Sequence, residues 1–187
     1  KKDLVGQATS LGNMGLSYSK LNKFDKALEF STRALELNKK AGFRDLTLSF
    51  IIIGKIYFKQ NVFNKANDYY QDALRHAENF RNKPNIASCY YSIASVLTKQ
   101  GNYLEALKLY QKALQVLIPG YTNTDIYSNP DIKNSISDIQ LLNILKAKAE
   151  TFQKLSDNEP SNTKYLEASI ATYNKTIELI DKIRTGF

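Results

Sequence analysis

The sequence contains one histidine and one cysteine, the residue types best suited to nucleophilic catalysis. Such catalysis needs a nucleophile beside a base, and usually a third group that orients the base. His76 follows Arg75 late in a predicted helix, and Cys89 directly precedes Tyr90, which we expect to face inward. The sequence supplies neither an orienting group nor a glycine-rich phosphate loop for this pair. We therefore predict structural roles for both residues, and a chain without a catalytic constellation, metal site or cofactor.

A lysine occupies the same position in four successive sequence repeats, as Lys20, Lys59, Lys99 and Lys154. A row of ammonium groups can hold the carboxylates of an acidic peptide. Lysine near the C-terminal end of a helix is also favourable by itself, because it meets the negative end of the helix dipole. Peptide binding and simple helix stabilisation both remain open for this row.

The sequence predicts a series of helix pairs, as described below. A second set of candidate binding residues lies on the first helix of each pair, at positions that do not pack against the second helix of the same pair. We expect Ile51, Phe58 and Tyr91 to be exposed anchors for a ligand, and packing against the preceding helix pair is the alternative. Together with the lysine row, the predicted peptide-binding residues are Leu16, Lys20, Ile51, Lys55, Phe58, Lys59, Tyr91 and Lys99.

A pattern that occurs three times in the sequence determines where these candidate residues lie in the predicted helices. It consists of a glycine or alanine, then an aromatic residue or leucine three positions later, then alanines twelve and nineteen positions after the start. Successive copies start 39 and 40 residues apart, a period typical of stacked helical units rather than of one central core. The three sets are Gly15, Tyr18, Ala27 and Ala34; Gly54, Tyr57, Ala66 and Ala73; and Ala94, Leu97, Ala106 and Ala113.

Apolar residues recur at intervals of three and four through each copy, which predicts two antiparallel helices per repeat. The small residues Gly15 and Ala27 let the two backbones approach closely, and Tyr18 fills the adjoining space. We expect Gly42 to end a second helix in the left-handed conformation, and Pro84 to stand in the first turn of the next helix. The predicted helix pairs cover about 5–44, 45–84 and 85–118.

The helical pattern stops after Ile118, where Pro119 and Gly120 begin a segment rich in turn formers. We predict an inserted loop over 119–140, and loops of this length are usually functional or disordered. Helical spacing returns over 141–187, which we predict to be a fourth, degenerate helix pair. The side chains available to hold the loop to the surface are Tyr121, Ile126, Tyr127 and Ile132.

Composition limits the remaining classes of function. The most apolar stretch, 46–58, is interrupted by Lys55 and is too short to cross a bilayer, so we expect no membrane partner. Residues 1–118 hold 18 lysines and arginines against 9 acidic residues, whereas residues 119–187 hold 8 against 9. This basic excess suits an acidic partner and brings nucleic acid into consideration, but its residues are scattered among acidic ones, so we expect a solvated surface instead.

Two further expectations concern the context of the chain. The single cysteine is compatible with a reducing compartment, so we expect a cytoplasmic location. The sequence opens on Lys1 without an initiator methionine, which suggests a piece of a longer protein.

The order of small and aromatic residues over 5–118 resembles the tetratricopeptide repeat, in a longer form of about 40 residues. The resemblance implies an all-α superhelix of antiparallel helix pairs, with a concave groove that binds a protein or peptide. The sequence departs from the pattern at Ser31, where an aromatic residue is expected before Ala34. It departs again at Ser169 and Thr176, where the fourth pair should have alanines.

A narrower resemblance covers roughly 85–187. The segments 118–121, 125–127, 129–130, 146–149, 165–168 and 178–184 are similar to the repeat region of bacterial CHAT-domain proteins. In that family the repeats precede a caspase-like peptidase domain, and nothing in this sequence corresponds to that domain. The resemblance implies that the repeats bind a partner or regulate an attached C-terminal domain.

We therefore expect a non-catalytic protein-interaction scaffold that binds a peptide or a partner domain in its concave groove. Two alternatives stay open at this point. One is a rigid structural spacer without a specific ligand, and the other is a solenoid that binds nucleic acid through its basic N-terminal part.

Overall fold

The computed structural model of the chain describes residues 3–132 and 139–185, and these residues form an all-α structure without β-strands. The all-α class expected from the sequence is confirmed. Within the described ranges, every helix is too short or too polar to cross a lipid bilayer. The helices are α1 (Leu4–Lys20), α2 (Phe24–Lys40), α3 (Thr47–Lys59), α4 (Phe63–Asn79), α5 (Lys83–Lys99), α6 (Tyr103–Leu117), α7 (Ile139–Asn158) and α8 (Thr163–Thr185).

The chain divides into two compact units, Lys1–Asn85 and Ile86–Phe187. In the first unit, α1 packs against α2 and α3 packs against α4, while α3 also contacts α1 and α2. Helix α1 begins at Leu4, where the Asp3 carboxylate caps it by accepting a hydrogen bond of 2.9 Å from the Gly6 amide.

Small side chains stand where the paired helices of the first unit cross. Ala27 and Ala66 are completely buried, and Gly15 and Gly54 are buried beside them. A methyl group at Gly54 would lie 2.6 Å from the Tyr70 ring, which is closer than carbon atoms approach without a shift. The expected close approach of the helices at these positions is therefore present.

Aromatic rings fill the space beside these crossings. The Tyr18 and Phe30 rings stack with their centroids 5.2 Å apart, and the Tyr57 and Tyr69 rings stack at 5.5 Å. Each stack joins the two helices of one pair, so the pair is held by large rings next to its small residues.

Residues in the left-handed conformation reverse the chain within each repeated pair. They are Asn22 (φ 55°), Asn61 (φ 60°) and Gly101 (φ 83°), and asparagine and glycine tolerate this conformation best. Gly42 (φ 78°) ends the second helix in the same way, as expected. After Gly42, the Phe43 amide donates to the Asn38 carbonyl at 2.9 Å, which closes a Schellman cap.

The second unit contains α5 from Ile86 onward, α6 to α8 and the segment between α6 and α7. Helix α7 packs against both α6 and α8, and α5 meets α6 through the hydroxyls of Ser95 and Tyr110, which lie 3.2 Å apart. Ile132, from the segment before α7, is completely buried in the same apolar cluster as Leu141 and Leu179. Part of the predicted inserted loop therefore contributes to the core of this unit.

The close crossing at Gly54 leads to a matched test of stability. Gly54→Ala should destabilise the chain by about 1–3 kcal/mol, because its methyl group collides with the Tyr70 ring. Gly12→Ala is the control, since a Cβ at Gly12 meets nothing within 4 Å and alanine favours the helix by about 1 kcal/mol. Urea unfolding measures both changes, and equal effects of the two substitutions would contradict the steric account.

Candidate functional site

The first helices of the first unit carry five of the predicted peptide-binding residues in positions that solvent reaches. The Lys20, Lys55 and Lys59 side chains are exposed, whereas Leu16 and Phe58 are half-buried. These residues therefore offer ammonium groups beside partly accessible apolar surface, which is the composition that an acidic and partly apolar segment would complement.

Ile51 differs from the other predicted anchors because only 4% of it is exposed. Helix α3 contacts α4 on one side and α1 and α2 on another, so apolar residues are buried around more than one of its faces. Its packing neighbours cover Ile51, and the expectation that Ile51 is an exposed anchor is corrected in favour of packing.

Phe58 and Lys59 at the end of α3 both have partners inside the first unit. The Phe58 ring meets the Phe63 ring edge-on, with centroids 5.8 Å apart. The Lys59 ammonium donates a hydrogen bond of 3.2 Å to the Ser19 carbonyl near the end of α1. One lysine of the predicted row thus stabilises a helix C-terminus, while its side chain remains exposed.

The second unit carries the remaining predicted residues. Tyr91 is half-buried on α5 with its ring centroid 6.0 Å from that of Tyr110, and burial raises the pKa of both phenols. Lys99 in the last turn of α5 and Lys154 on α7 are exposed. Tyr91 therefore presents only part of its ring to a ligand, and the two lysines present their charges.

The histidine and the cysteine occupy packed positions. The His76 ring lies against the Phe50 ring with centroids 5.3 Å apart, and Cys89 is completely buried and free of disulfide bonds. In the part of the chain that the structure describes, no three histidine, cysteine or acidic residues are grouped so that they could hold a metal ion.

The segment that follows α6 is folded back onto the second unit by a network of hydrogen bonds. The Gln111 amide donates to the Tyr121 hydroxyl and to the Asn123 carbonyl, both at 2.8 Å. The Tyr121 hydroxyl in turn donates to the Ser128 carbonyl at 3.0 Å. Tyr127 stacks on Phe152 with centroids 5.5 Å apart. Tyr121, Tyr127 and the buried Ile132 act as the surface anchors that their residue types suggested, whereas 133–138 lie outside the described residues.

A completely buried lysine, Lys148 on α7, lies at the centre of this network. Its ammonium donates to the Ser128 carbonyl at 2.7 Å, to Gln111 Oε1 at 2.8 Å and to Asn129 Oδ1 at 3.1 Å. Three acceptors match the three hydrogens of the ammonium group, so it joins α6, α7 and the folded segment.

Sequence reasoning missed Lys148, although a signal for it was available. The buried residues Leu141, Leu145, Phe152 and Leu155 of α7 are separated by four, seven and three positions, and Lys148 divides the interval of seven into three and four, so it lies on the same face. A lysine on an apolar helix face predicts a buried ammonium group that needs several acceptors.

Burial lowers the pKa of Lys148 from 10.5 to about 7, since the charged form loses its hydration, and the negative charge of Asp125 opposes this shift. The lowered pKa brings the loss of the Lys148 proton close to neutral pH. Near pH 7 the network contains both the charged and the neutral lysine.

Comparison with known protein families gives two matches. Models of the tetratricopeptide repeat match residues 8–40 and 46–118. No curated protein sequence matches the chain.

Solved structures share the fold at low sequence identity. The chain is similar to BtubC from P. vanneervenii, with 14% identity and a TM-score of 0.73, over 98% of this chain and 67% of BtubC. It is similar to a Rap protein crystallised with Competence and Sporulation Factor, with 15% identity and a TM-score of 0.74, over 97% of this chain and 45% of that protein. Apo RapI matches with 12% identity and a TM-score of 0.74, over 98% of this chain and 59% of RapI. The chain therefore spans about half the length of the Rap proteins.

The buried lysine predicts how stability depends on pH. Because the unfolded chain keeps a proton on Lys148 up to pH 10.5 and the folded chain loses it near pH 7, stability should rise with pH between these two values. The contribution is at most about 1.4 kcal/mol per pH unit. Urea unfolding near pH 7 and near pH 9 measures it.

Lys148→Met should reduce this pH dependence, and near pH 9 it should be less stable than the natural chain by about 1–3 kcal/mol, because buried acceptors lose the hydrogen bonds that the neutral amine donates. Lys146→Met removes an exposed lysine from the same helix and should keep the original slope. A slope that is unchanged in Lys148→Met would show that another group causes the dependence.

Proposed function

We propose that this chain, which belongs to the tetratricopeptide-repeat family, is a non-catalytic scaffold that binds a protein or peptide segment. In the first unit the contact surface would be the exposed faces of α1 and α3, and the second unit would have its own contact surface on α5. The proposal rests mainly on one observation: lysines at the same place in these helices are exposed beside half-buried apolar side chains.

The charge of this surface favours an acidic segment as the ligand. Lys20, Lys55 and Lys59 contribute three positive charges to the first helices of the first unit, and Lys99 contributes one to the second unit. Only Lys59 has a described partner, the neutral Ser19 carbonyl, so its charge remains uncompensated at that contact. Complementary charges speed association and exclude partners with the wrong charge.

Leu16, Phe58 and Tyr91 would supply the apolar part of the contact. All three are half-buried, so their rings or methyl groups are already held by the fold and lose little freedom on binding. Ile51 is left out of the proposed contact because its side chain is buried.

The resemblance to CHAT-domain proteins adds a candidate for the partner, an attached C-terminal peptidase domain that the repeats would bind or regulate. The natural coding sequence beyond Phe187 tests this candidate. A following domain with a histidine and a cysteine in a caspase-like arrangement would support it, and any other continuation would exclude it.

Reversing the lysine charges tests the acidic-segment proposal. A peptide selected from a random displayed library on the natural chain should bind the double variant Lys20→Glu and Lys59→Glu at least tenfold more weakly, because carboxylates would then face carboxylates. Isothermal titration at two salt concentrations measures the affinity, and higher salt should weaken binding to the natural chain.

The matched control is the double variant Lys23→Glu and Lys39→Glu, which makes the same charge change at exposed positions outside the first helices. It should bind the selected peptide as the natural chain does. Equal loss in both double variants would show a general charge effect and contradict the proposed surface. Failure to select any peptide would favour the structural spacer, and tight binding of single-stranded DNA at low salt would favour the nucleic-acid alternative.

A further inference from the structure

One face of α8 is apolar and open to solvent. Its residues follow one another at intervals of four, three, four and three, as Leu166, Ile170, Tyr173, Ile177 and Ile180. Leu166 is 49% exposed, Ile170 52%, Ile177 56% and Ile180 39%, and Tyr173 is half-buried. We call these five residues the α8 stripe. Single exposed apolar residues are ordinary, but several on one helix face indicate a surface that contacts another molecule.

The other second helices show what this face carries where it meets water. Each has an aromatic residue in its first turn and a buried alanine three positions later, as Phe24 and Ala27, Phe63 and Ala66, Tyr103 and Ala106, and Tyr165 and Ala168. Counted from this aromatic residue, the α8 stripe occupies the first, fifth, eighth, twelfth and fifteenth positions. In α2 these positions hold Asp25, Glu29, Thr32, Glu36 and Lys39, and in α4 they hold Asn64, Asp68, Gln71, Arg75 and Glu78. All of these α2 and α4 side chains are polar and exposed, so only α8 presents an apolar surface here to a partner.

In α6 the folded segment of the second unit partly covers this face. The eighth and twelfth positions are Gln111 and Gln115, and their amides donate to the Asn123 carbonyl at 2.8 and 3.1 Å. Another stretch of polypeptide can therefore cover a second helix at this register. On α6 that stretch makes polar contacts, whereas the α8 stripe requires an apolar one.

The spacing of the α8 stripe points to a helix as its occupant. Alternating steps of four and three residues average 3.5, the repeat with which two α-helices pack along a common seam. From Leu166 to Ile180 the stripe is about 21 Å long, at a rise of about 1.5 Å per residue, which corresponds to about two heptads. An amphipathic helix docks on such a seam through apolar anchors at the same intervals.

Carboxylates follow the stripe along one edge. Glu167 comes directly after Leu166, Asp181 comes directly after Ile180, and both acidic side chains are exposed. The Asp181 carboxylate lies 3.9 Å from the Arg184 guanidinium. Such an exposed pair contributes little to stability, so a cation of the occupant can replace the arginine.

The other edge of the stripe is formed by α7. The Tyr173 hydroxyl donates to Gln153 Oε1 at 3.4 Å. Burial, and after it the negative charge of Glu150, raises the pKa of the Tyr173 phenol. Glu150 has the exposed Lys146 at 3.9 Å as its ion-pair partner, which is again a weak contact. Acidic groups therefore stand on both sides of the apolar seam.

We propose that the α8 stripe binds an amphipathic helix of a partner protein, with leucine or isoleucine at intervals of three and four and lysine or arginine on both sides of them. These cations would meet Glu150, Glu167 and Asp181. The contact differs from the acidic-segment surface of the first helices, which selects the opposite charge. A second copy of this chain fits poorly, because antiparallel pairing of two α8 helices would place Glu167 beside Asp181 of the other copy.

A synthetic three-heptad helix tests the proposal, with leucine at its a and d positions and lysine at e and g, where mutual repulsion prevents the peptide from pairing with itself. Titrated into the ¹⁵N-labelled chain, this probe should shift the Ile170, Asn174 and Ile177 amides in a saturable way. The double variant Ile170→Gln and Ile177→Gln should bind it at least tenfold more weakly by isothermal titration. Absence of saturable shifts at these amides, or an unchanged affinity of the double variant, would overturn the proposal.

The matched apolar control is the double variant Leu21→Gln and Leu104→Gln. It removes the same number of exposed apolar side chains outside the stripe and should bind the probe as the natural chain does. Because the substituted side chains are exposed, both double variants should melt as the natural chain does by circular dichroism. Equal loss of affinity in the two would show general stickiness and contradict the assigned surface.

Reversing the carboxylates tests the charge of the occupant. The double variant Glu167→Lys and Asp181→Lys should weaken probe binding at least threefold, because lysines would then face lysines. Glu29→Lys with Glu36→Lys makes the same charge change at this register of α2 and should leave the affinity unchanged. An unaltered affinity after reversal on α8 would refute the basic flanks.

Two other occupants are distinguished by the stripe variant Ile170→Gln and Ile177→Gln. A dimer in sedimentation experiments that this variant abolishes would make a second copy the occupant and overturn the proposal. Binding to phosphatidylglycerol vesicles that the variant abolishes would make a lipid surface the occupant, with the same consequence. Lys20→Glu with Lys59→Glu should leave probe binding intact, so failure of the acidic-segment surface and failure of the α8 stripe can be told apart.

Discussion

The close approach of paired helices is the constraint on which the rest of this structure depends. At Gly15 and Gly54 the second helix of each pair lies so near that a methyl group would collide with it. Ala27 and Ala66 on the facing helices are completely buried. Because backbones at this separation admit only small side chains, the crossing points fix which residues face one another along the remaining length of each pair.

The buried serine and threonine hydroxyls of the helix pairs differ in whether they donate a hydrogen bond to a backbone carbonyl. Ser169 donates to the Ala149 carbonyl at 3.0 Å, and Thr176 donates to the Thr172 carbonyl at 2.9 Å. These departures from alanine in the fourth pair are therefore accommodated by backbone acceptors. The Ser31 hydroxyl in the first pair is buried and has no hydrogen-bond partner among the described residues.

The second unit uses a different means of holding its parts together. Lys148 replaces an apolar contact with three directed hydrogen bonds, two of them to the segment that interrupts the repeats. A buried ammonium group is unfavourable unless it is fully bonded, so the segment has to keep its acceptors in place. Apolar anchoring by Ile132 and ring stacking by Tyr127 hold that segment where the acceptors are needed.

The sequence by itself determined the helices, their pairing and their turns, because these follow from local spacing. Gly15, Gly54 and Ala94 recur at the helix crossings, and the left-handed turn at Gly42 requires a residue that tolerates positive φ. Residue type and interval are sufficient for such features. The same spacing located the ends of the first helices, and with them the exposed lysines found there.

Only the tertiary structure decided which side chains are covered by a neighbouring element. Ile51 has the residue type of a surface anchor and is buried because α3 packs on more than one side. Lys148 has the residue type of a solvent-facing lysine and is buried because a distant segment supplies its acceptors. Ser31 is found in the sequence where an aromatic residue is expected, but only the structure shows that its hydroxyl is buried without a hydrogen-bond partner among the described residues. Burial depends on contacts between segments far apart in the chain, and spacing within one segment indicates at most which helix face is covered.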